Sequence, residues 1–164
     1  MKLHLLLRRW KQRAKKKLHC KNHCSLKVYE FSVSECEGDF IVTLDSSNFD
    51  SYMDAIGDAD NAMVKFYAPW CGHCKKMQPE WNCFAQEHQD SSFLVAEINC
   101  DDALNKDTCK EYGVTGYPTV KHFYKVDGEL VNEKYMGGRK LKNFEDYYAK
   151  TVAAAESEQP VAEW

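Results

Sequence analysis

Two cysteines, Cys71 and Cys74, are separated by two residues in the run Trp70-Cys71-Gly72-His73-Cys74. Such a pair can close a small disulfide ring, or open it by thiol–disulfide exchange. An apolar stretch precedes the run and a helical pattern follows it, which places Cys71 at a strand-to-helix junction. Free amide donors and the positive end of the helix dipole favour a thiolate there. His73 adds a donor or a positive charge beside the sulfur. A free thiol titrates near ~8.5, and all three influences lower that value for Cys71. A stabilised thiolate leaves readily and favours the dithiol, so the disulfide form is an oxidant. Cys74 lies one turn deeper. It is expected to be more buried, to have a higher pKa, and to resolve mixed disulfides between Cys71 and a substrate. A plain disulfide and half of a zinc site compete for the same residues. Zinc requires a second pair at matching spacing. Cys100 and Cys109, with eight residues between them, do not supply one, so no metal is expected.

The elements that must hold this pair read as an alternating α/β pattern. Phe40 to Leu44 is a short strand, and Asp45 to Asn48 offers caps for a helix carrying Phe49, Tyr52, Met53 and Ile56. Ala62 to Ala68 is an apolar strand interrupted only by Lys65. A long helix is expected from Cys71 to Gln89, with Pro79 inside it as a source of a kink. Phe93 to Asn99 is a strand, and Leu104 to Tyr112 a helix ended by Gly113 in a left-handed cap. Thr119 to Tyr124 and Val131 to Met136 form a hairpin around Asp127-Gly128. Gly137-Gly138 precedes a last helix from Leu141 to Thr151. The order β-α-β-α-β-α-β-β-α implies a central mixed β-sheet with helices on both faces. Trp81, Phe84 and Met77, at helical spacing, belong to the core.

The 164 residues suit one domain with tails, and eight cysteines are too few for a disulfide-only scaffold. No stretch approaches ~18 consecutive apolar residues, so no membrane-spanning helix is expected. Residues 1–30 hold ten Lys/Arg against one acid, leaving twelve bases and twenty-four acids in the remainder. A basic arm thus precedes an acidic body, which argues against nucleic acid as the body's partner. Residues 1–36 read as a disordered basic arm, 37–155 as the catalytic domain and 156–164 as a loose acidic tail. The arm's apolar start, Leu3 to Leu7, falls short of the roughly 7–15 residues of a secretory core. His19, Cys20, His23 and Cys24 have a ligand-like spacing but are crowded, and read as incidental.

The segment Phe66-Tyr67-Ala68-Pro69-Trp70-Cys71-Gly72-His73-Cys74-Lys75 resembles the active-site segment of the catalytic thioredoxin-like domains of the protein disulfide isomerase family. Val114-Thr115-Gly116-Tyr117-Pro118-Thr119 is similar to that family's cis-proline loop, and Tyr135-Met136-Gly137-Gly138-Arg139 to its last strand-to-helix turn. The resemblance covers residues 37–155 and implies a thioredoxin fold with disulfide oxidoreductase and isomerase activity on unfolded or disulfide-containing proteins. No organic cofactor is needed; glutathione or an upstream thiol oxidase would recycle the pair. The resemblance further implies a cis Tyr117–Pro118 bond against the cysteines. Trp70, Tyr117 and Pro118 would then contact substrate, with Tyr117 offering its backbone to an extended strand. Arg139 matches an arginine that lowers the pKa of the resolving cysteine. Gly72-His73 resembles the isomerase dipeptide and not the Gly-Pro of a cytosolic reductase. The family often joins two cysteines at the places of Cys100 and Cys109; closure needs Cα atoms within about 7 Å.

One position departs from the family. Six residues before Cys71, where the family has a buried glutamate that moves a proton to and from the resolving cysteine, this chain has Lys65. Lys65 is open to three readings: a neutral base acting through water, a charge stabilising a thiolate, or a surface residue. The expectation is slower turnover of Cys74 without loss of activity. Cys83 is expected to pack or lie at the surface, and Cys36 has no assigned role. A monomer in the lumen of the endoplasmic reticulum is expected from the resemblance. A folding chaperone or adaptor with minor redox activity is the alternative function.

Overall fold

The computed structural model describes residues 36, 39–57, 60–89 and 92–157, and for 152–157 the backbone alone. Among the described residues, five strands and four α-helices follow in the order β1 (Val42–Leu44), α1 (Phe49–Asp54), β2 (Asn61–Tyr67), α2 (Gly72–Glu87), β3 (Phe93–Asn99), α3 (Lys106–Glu111), β4 (Thr119–Val126), β5 (Glu129–Lys134) and α4 (Leu141–Ser157). A short 3-10 turn, Ala103–Asn105, leads into α3 where one continuous helix from Leu104 is expected. The Asp102 carboxylate accepts from the Leu104 amide and caps that turn. α4 runs to Ser157, beyond the expected end at Thr151. Ala153, Ala154 and Ala155 have the highest helix propensity and contain nothing that stops a helix.

The sheet order is β1-β3-β2-β4-β5. β2 runs parallel to β3 and antiparallel to β4, and β5 returns along β4. The β4–β5 hairpin turns on Asp127 and Gly128, both at positive φ (52° and 82°), as a two-residue turn matched to strand twist requires. Gly113, at φ +65°, closes α3 in the left-handed conformation.

β2 is the central strand and is covered on both faces, which is why it reads as a nearly unbroken apolar run. Its period of two sends Ala62, Val64 and Phe66 into one core with Phe49, Met53, Ile98 and Phe123 beneath α1 and α3. Met63 enters the other core with Val95, Met77, Trp81 and Phe84 beneath α2, and with Phe144 of α4. Met77, Trp81 and Phe84 are core residues, as their spacing implies. Lys65 shares the parity of Met63, so the sheet turns it under α2. α4 is bound to α2 through Glu80, whose carboxylate accepts from the Leu141 amide at 2.8 Å and from Lys140 Nζ at 2.9 Å.

Two disulfides are present among the described residues. Cys100–Cys109 joins the end of β3 to α3, with Cα atoms 5.9 Å apart. Cys36–Cys83 joins the segment before β1 to α2 across a sequence separation of 47, with Cα atoms 5.0 Å apart. The second bridge corrects the expectation that Cys83 only packs or is exposed, and it gives Cys36 a role. Cys83 is fully buried, and its helical spacing carries no information about which residue it meets. Cys20 and Cys24, the rest of the basic arm and the end of the acidic tail lie outside the described residues.

Candidate active site

β2 ends at Tyr67, and the chain passes through Ala68, Pro69 and Trp70 into α2. Cys71 is the N-cap of that helix, with extended backbone at φ −72° and ψ 113°. Its sulfur accepts a hydrogen bond from the Cys74 amide at 3.3 Å, the position a capping serine oxygen takes. Burial pushes the Cys71 thiol up. Hydrogen bonds from the Cys74 thiol and amide and from the His73 amide, with the positive field of Arg139, outweigh that and hold it below the ordinary thiol value. His73 thus acts through its backbone; its side chain is exposed.

Cys74 lies one turn into α2 and is 3% exposed, against 7% for Cys71. Its pKa is pushed up to about 11, first by burial and then by its bond to the Cys71 sulfur. The two groups thus separate in the sense expected for nucleophile and resolving thiol. Both are free thiols.

The loop before β4 closes over the pair. The Tyr117–Pro118 bond is cis. The Cys71 thiol donates to the Tyr117 carbonyl at 3.5 Å, and Tyr117 packs against Ala68, Cys71 and Cys74. Trp70 is 65% exposed and meets the Tyr117 ring edge-on at 5.9 Å between centroids. Arg139 is exposed in the turn between β5 and α4, and its charge acts on Cys71. That differs from the expected target, the resolving cysteine.

Lys65 is completely buried, which removes the surface reading. Its ammonium pairs with Glu97 at 2.5 Å and donates to the Gln78 side-chain oxygen. It also lies over the rings of Tyr67 (5.0 Å) and Trp81 (5.9 Å). Burial lowers the Lys65 pKa, while Glu97 and Cys74 oppose that shift. Glu97 is the register partner of Lys65 on β3. Sequence reasoning missed both Glu97 and Gln78. The available signal was a lone acid in the strand Phe-Leu-Val-Ala-Glu-Ile-Asn, but pairing it with Lys65 requires knowing that β2 and β3 are neighbours. No group of three or more His, Cys, Asp or Glu able to hold a metal occurs among the described residues.

Residues 40–150 match the thioredoxin family. Protein disulfide-isomerase 1 of Dictyostelium discoideum is 43% identical over 67% of this chain and 30% of its own length. A protein disulfide-isomerase-like protein of Emiliania huxleyi is 42% identical over 65% of this chain and 46% of its own. The chain thus spans less than half the length of these relatives. The solution structure of the first thioredoxin domain of mouse protein disulfide-isomerase A4 superimposes with a TM-score of 0.56 at 30% identity, covering 78% of this chain and 85% of that domain. With its capped, asymmetric Cys71/Cys74 pair on a mixed five-stranded sheet, the chain belongs to the thioredoxin family, among the thioredoxin domains of protein disulfide isomerases.

Proposed function

We propose that this chain is a thiol–disulfide oxidoreductase and isomerase acting on unfolded or disulfide-containing proteins, as a monomer in the lumen of the endoplasmic reticulum. The observation that carries the reading is the split of two neighbouring thiols by one helix end: Cys71 lowered at the N-cap, Cys74 raised to about 11 beneath it. Two structural disulfides beside this dithiol support an oxidising compartment.

In the oxidising direction a substrate thiolate attacks Cys71 of the Cys71–Cys74 disulfide, and Cys74 leaves and takes up a proton. A second substrate thiolate then attacks the substrate sulfur of the mixed disulfide and expels Cys71 as its stabilised thiolate. Two electrons pass from substrate to the pair. Oxidised glutathione or a thiol oxidase would restore the disulfide. In isomerisation the Cys71 thiolate attacks a substrate disulfide, and the freed substrate thiolate attacks elsewhere in the same molecule. Cys74 ends unproductive encounters by displacing the substrate from Cys71. Gly72 lets a substrate chain approach, since nothing lies within 4 Å of where its side chain would begin. Trp70, Tyr117 and Pro118 would hold an extended substrate strand, and Arg139 would hold Cys71 anionic.

The test is refolding of a scrambled disulfide protein. Cys71→Ser is expected to abolish exchange, and Cys74→Ser to accumulate a mixed disulfide on Cys71. A chaperone reading draws on the exposed Trp70 beside Tyr117. It predicts that Cys71→Ser still suppresses aggregation in full and that exchange in the native chain is negligible.

A further inference from the structure

The Cys74 thiol must lose a proton before it can attack a mixed disulfide at Cys71, and it sits where water is excluded. Polar groups, one fully buried and the others half-buried, form a connected arrangement under the same helix. Beneath α2 lie Lys65 and Tyr67 on β2, Glu97 on β3, and Gln78 one turn after Cys74. Lys65 and Cys74 act on one another electrostatically, as do Tyr67 and both Cys74 and Glu97. Gln78 donates to Glu97 at 3.2 Å and to Asn82 at 3.0 Å, which fixes the carboxylate against the ammonium. Lys65 is sealed, whereas the Glu97 side chain keeps 16% of its surface. The sealed ammonium that interacts with the thiol is thus paired with a carboxylate that still reaches the surface. Cys71, by contrast, is acted on by the charge of Arg139.

We propose that Glu97 is the proton acceptor for Cys74, acting through Lys65, in the step that resolves the mixed disulfide. Lys65 passes a proton to the Glu97 carboxylate as it takes the Cys74 proton, so the ammonium is unchanged and the charges become a thiolate and a carboxylic acid. The Cys74 thiolate attacks the Cys71 sulfur, the Cys71–Cys74 bond forms, and the Cys71–substrate bond breaks with the substrate leaving as thiolate. Two electrons pass to the substrate. Glu97 then releases its proton at its exposed edge. In the oxidising direction the same path runs in reverse and protonates the departing Cys74. A lysine in place of the family's carboxylate thus leaves the site with an acid, supplied by the neighbouring strand. Glu97 is a positioning and proton-accepting residue, not one that touches the sulfurs.

This inference rests on the exchange reading above, and the experiment separates the two. Reduced protein is mixed with oxidised glutathione, and tryptophan fluorescence follows the bimolecular attack by Cys71 and then the unimolecular resolution by Cys74, from pH 5 to 10. Glu97→Gln is expected to leave the first step unchanged. It should slow the second by about 100-fold near neutral pH, the scale of general base catalysis. The remaining rate should climb tenfold per pH unit as hydroxide replaces the lost base. Glu97→Asp should restore part of the rate. Glu97→Gln leaves Lys65 buried without its counter-charge, so Lys65→Gln/Glu97→Gln, which removes both charges, provides a foldable second variant and should show the same slow step. A second step of unchanged rate and pH profile in either folded variant overturns the role of Glu97. Absence of the first step in the native chain overturns the exchange reading itself.

Discussion

Opening the Cys36–Cys83 bridge by Cys36→Ala tests what ties the segment before β1 to the domain. The bond closes a loop with a sequence separation of 47, so its loss returns loop entropy to the unfolded chain. For a loop of that size the entropy is about 14 cal/mol/K, or about 4 kcal/mol at 25 °C. Cys100–Cys109, with a separation of 9, is worth less by the same relation, about 3 kcal/mol. Cys83 is fully buried on α2, so Cys36→Ala keeps the core filled, and Cys36→Ala/Cys83→Ala adds a small cavity costing about 1 kcal/mol. Urea unfolding followed by tryptophan fluorescence reads both. With m of about 2 kcal/mol/M, the single variant should move its midpoint down by about 2 M. The slope should also steepen, because an unbridged unfolded chain exposes more surface. A loss below about 1 kcal/mol, with the bond shown closed in the parent by mass spectrometry, would refute the argument that this bridge works by constraining the unfolded chain.

Four further outcomes are expected. Arg139→Ala should raise the Cys71 pKa, read as a shift of the pH profile of alkylation toward higher pH, because one of the influences that hold the thiolate is removed. Lys65→Glu should change the rate at which Cys74 resolves a mixed disulfide; an unchanged rate would show that this position does not matter to the site. Glu80→Ala should cost about 2 kcal/mol in urea unfolding, since it removes the acceptor of the Leu141 amide and leaves the start of α4 uncapped. His122 is buried, with its Nε2 2.8 Å from Asn61 Oδ1, and burial lowers its pKa although Glu133 opposes the shift. The unfolded chain then takes up the proton first. The contribution of His122 is complete above its ordinary value near ~6.5 and falls as pH drops through it. His122→Gln should flatten that slope between pH 7.5 and 5, measured as urea midpoints.

What could be read from the chain alone was local. The N-cap position of Cys71 follows from an apolar strand, a proline and a helical pattern in immediate succession, and the asymmetry of Cys71 and Cys74 follows from helix geometry over three residues. The turns at Gly113 and Asp127-Gly128 were legible for the same reason, since only certain residues adopt positive φ readily. The orientation of Lys65 was not legible. β2 is apolar on both faces, so its alternation does not say which face meets which helix. Only the order β1-β3-β2-β4-β5 sets Glu97 beside Lys65. The Cys36–Cys83 bridge was hidden likewise, because its partners are 47 residues apart and meet only when Cys36 is brought to Cys83 on α2. Hydrogen bonding and dihedral preference act between near neighbours and leave a mark on sequence, whereas pairing across a sheet or a disulfide depends on where the whole chain has gone.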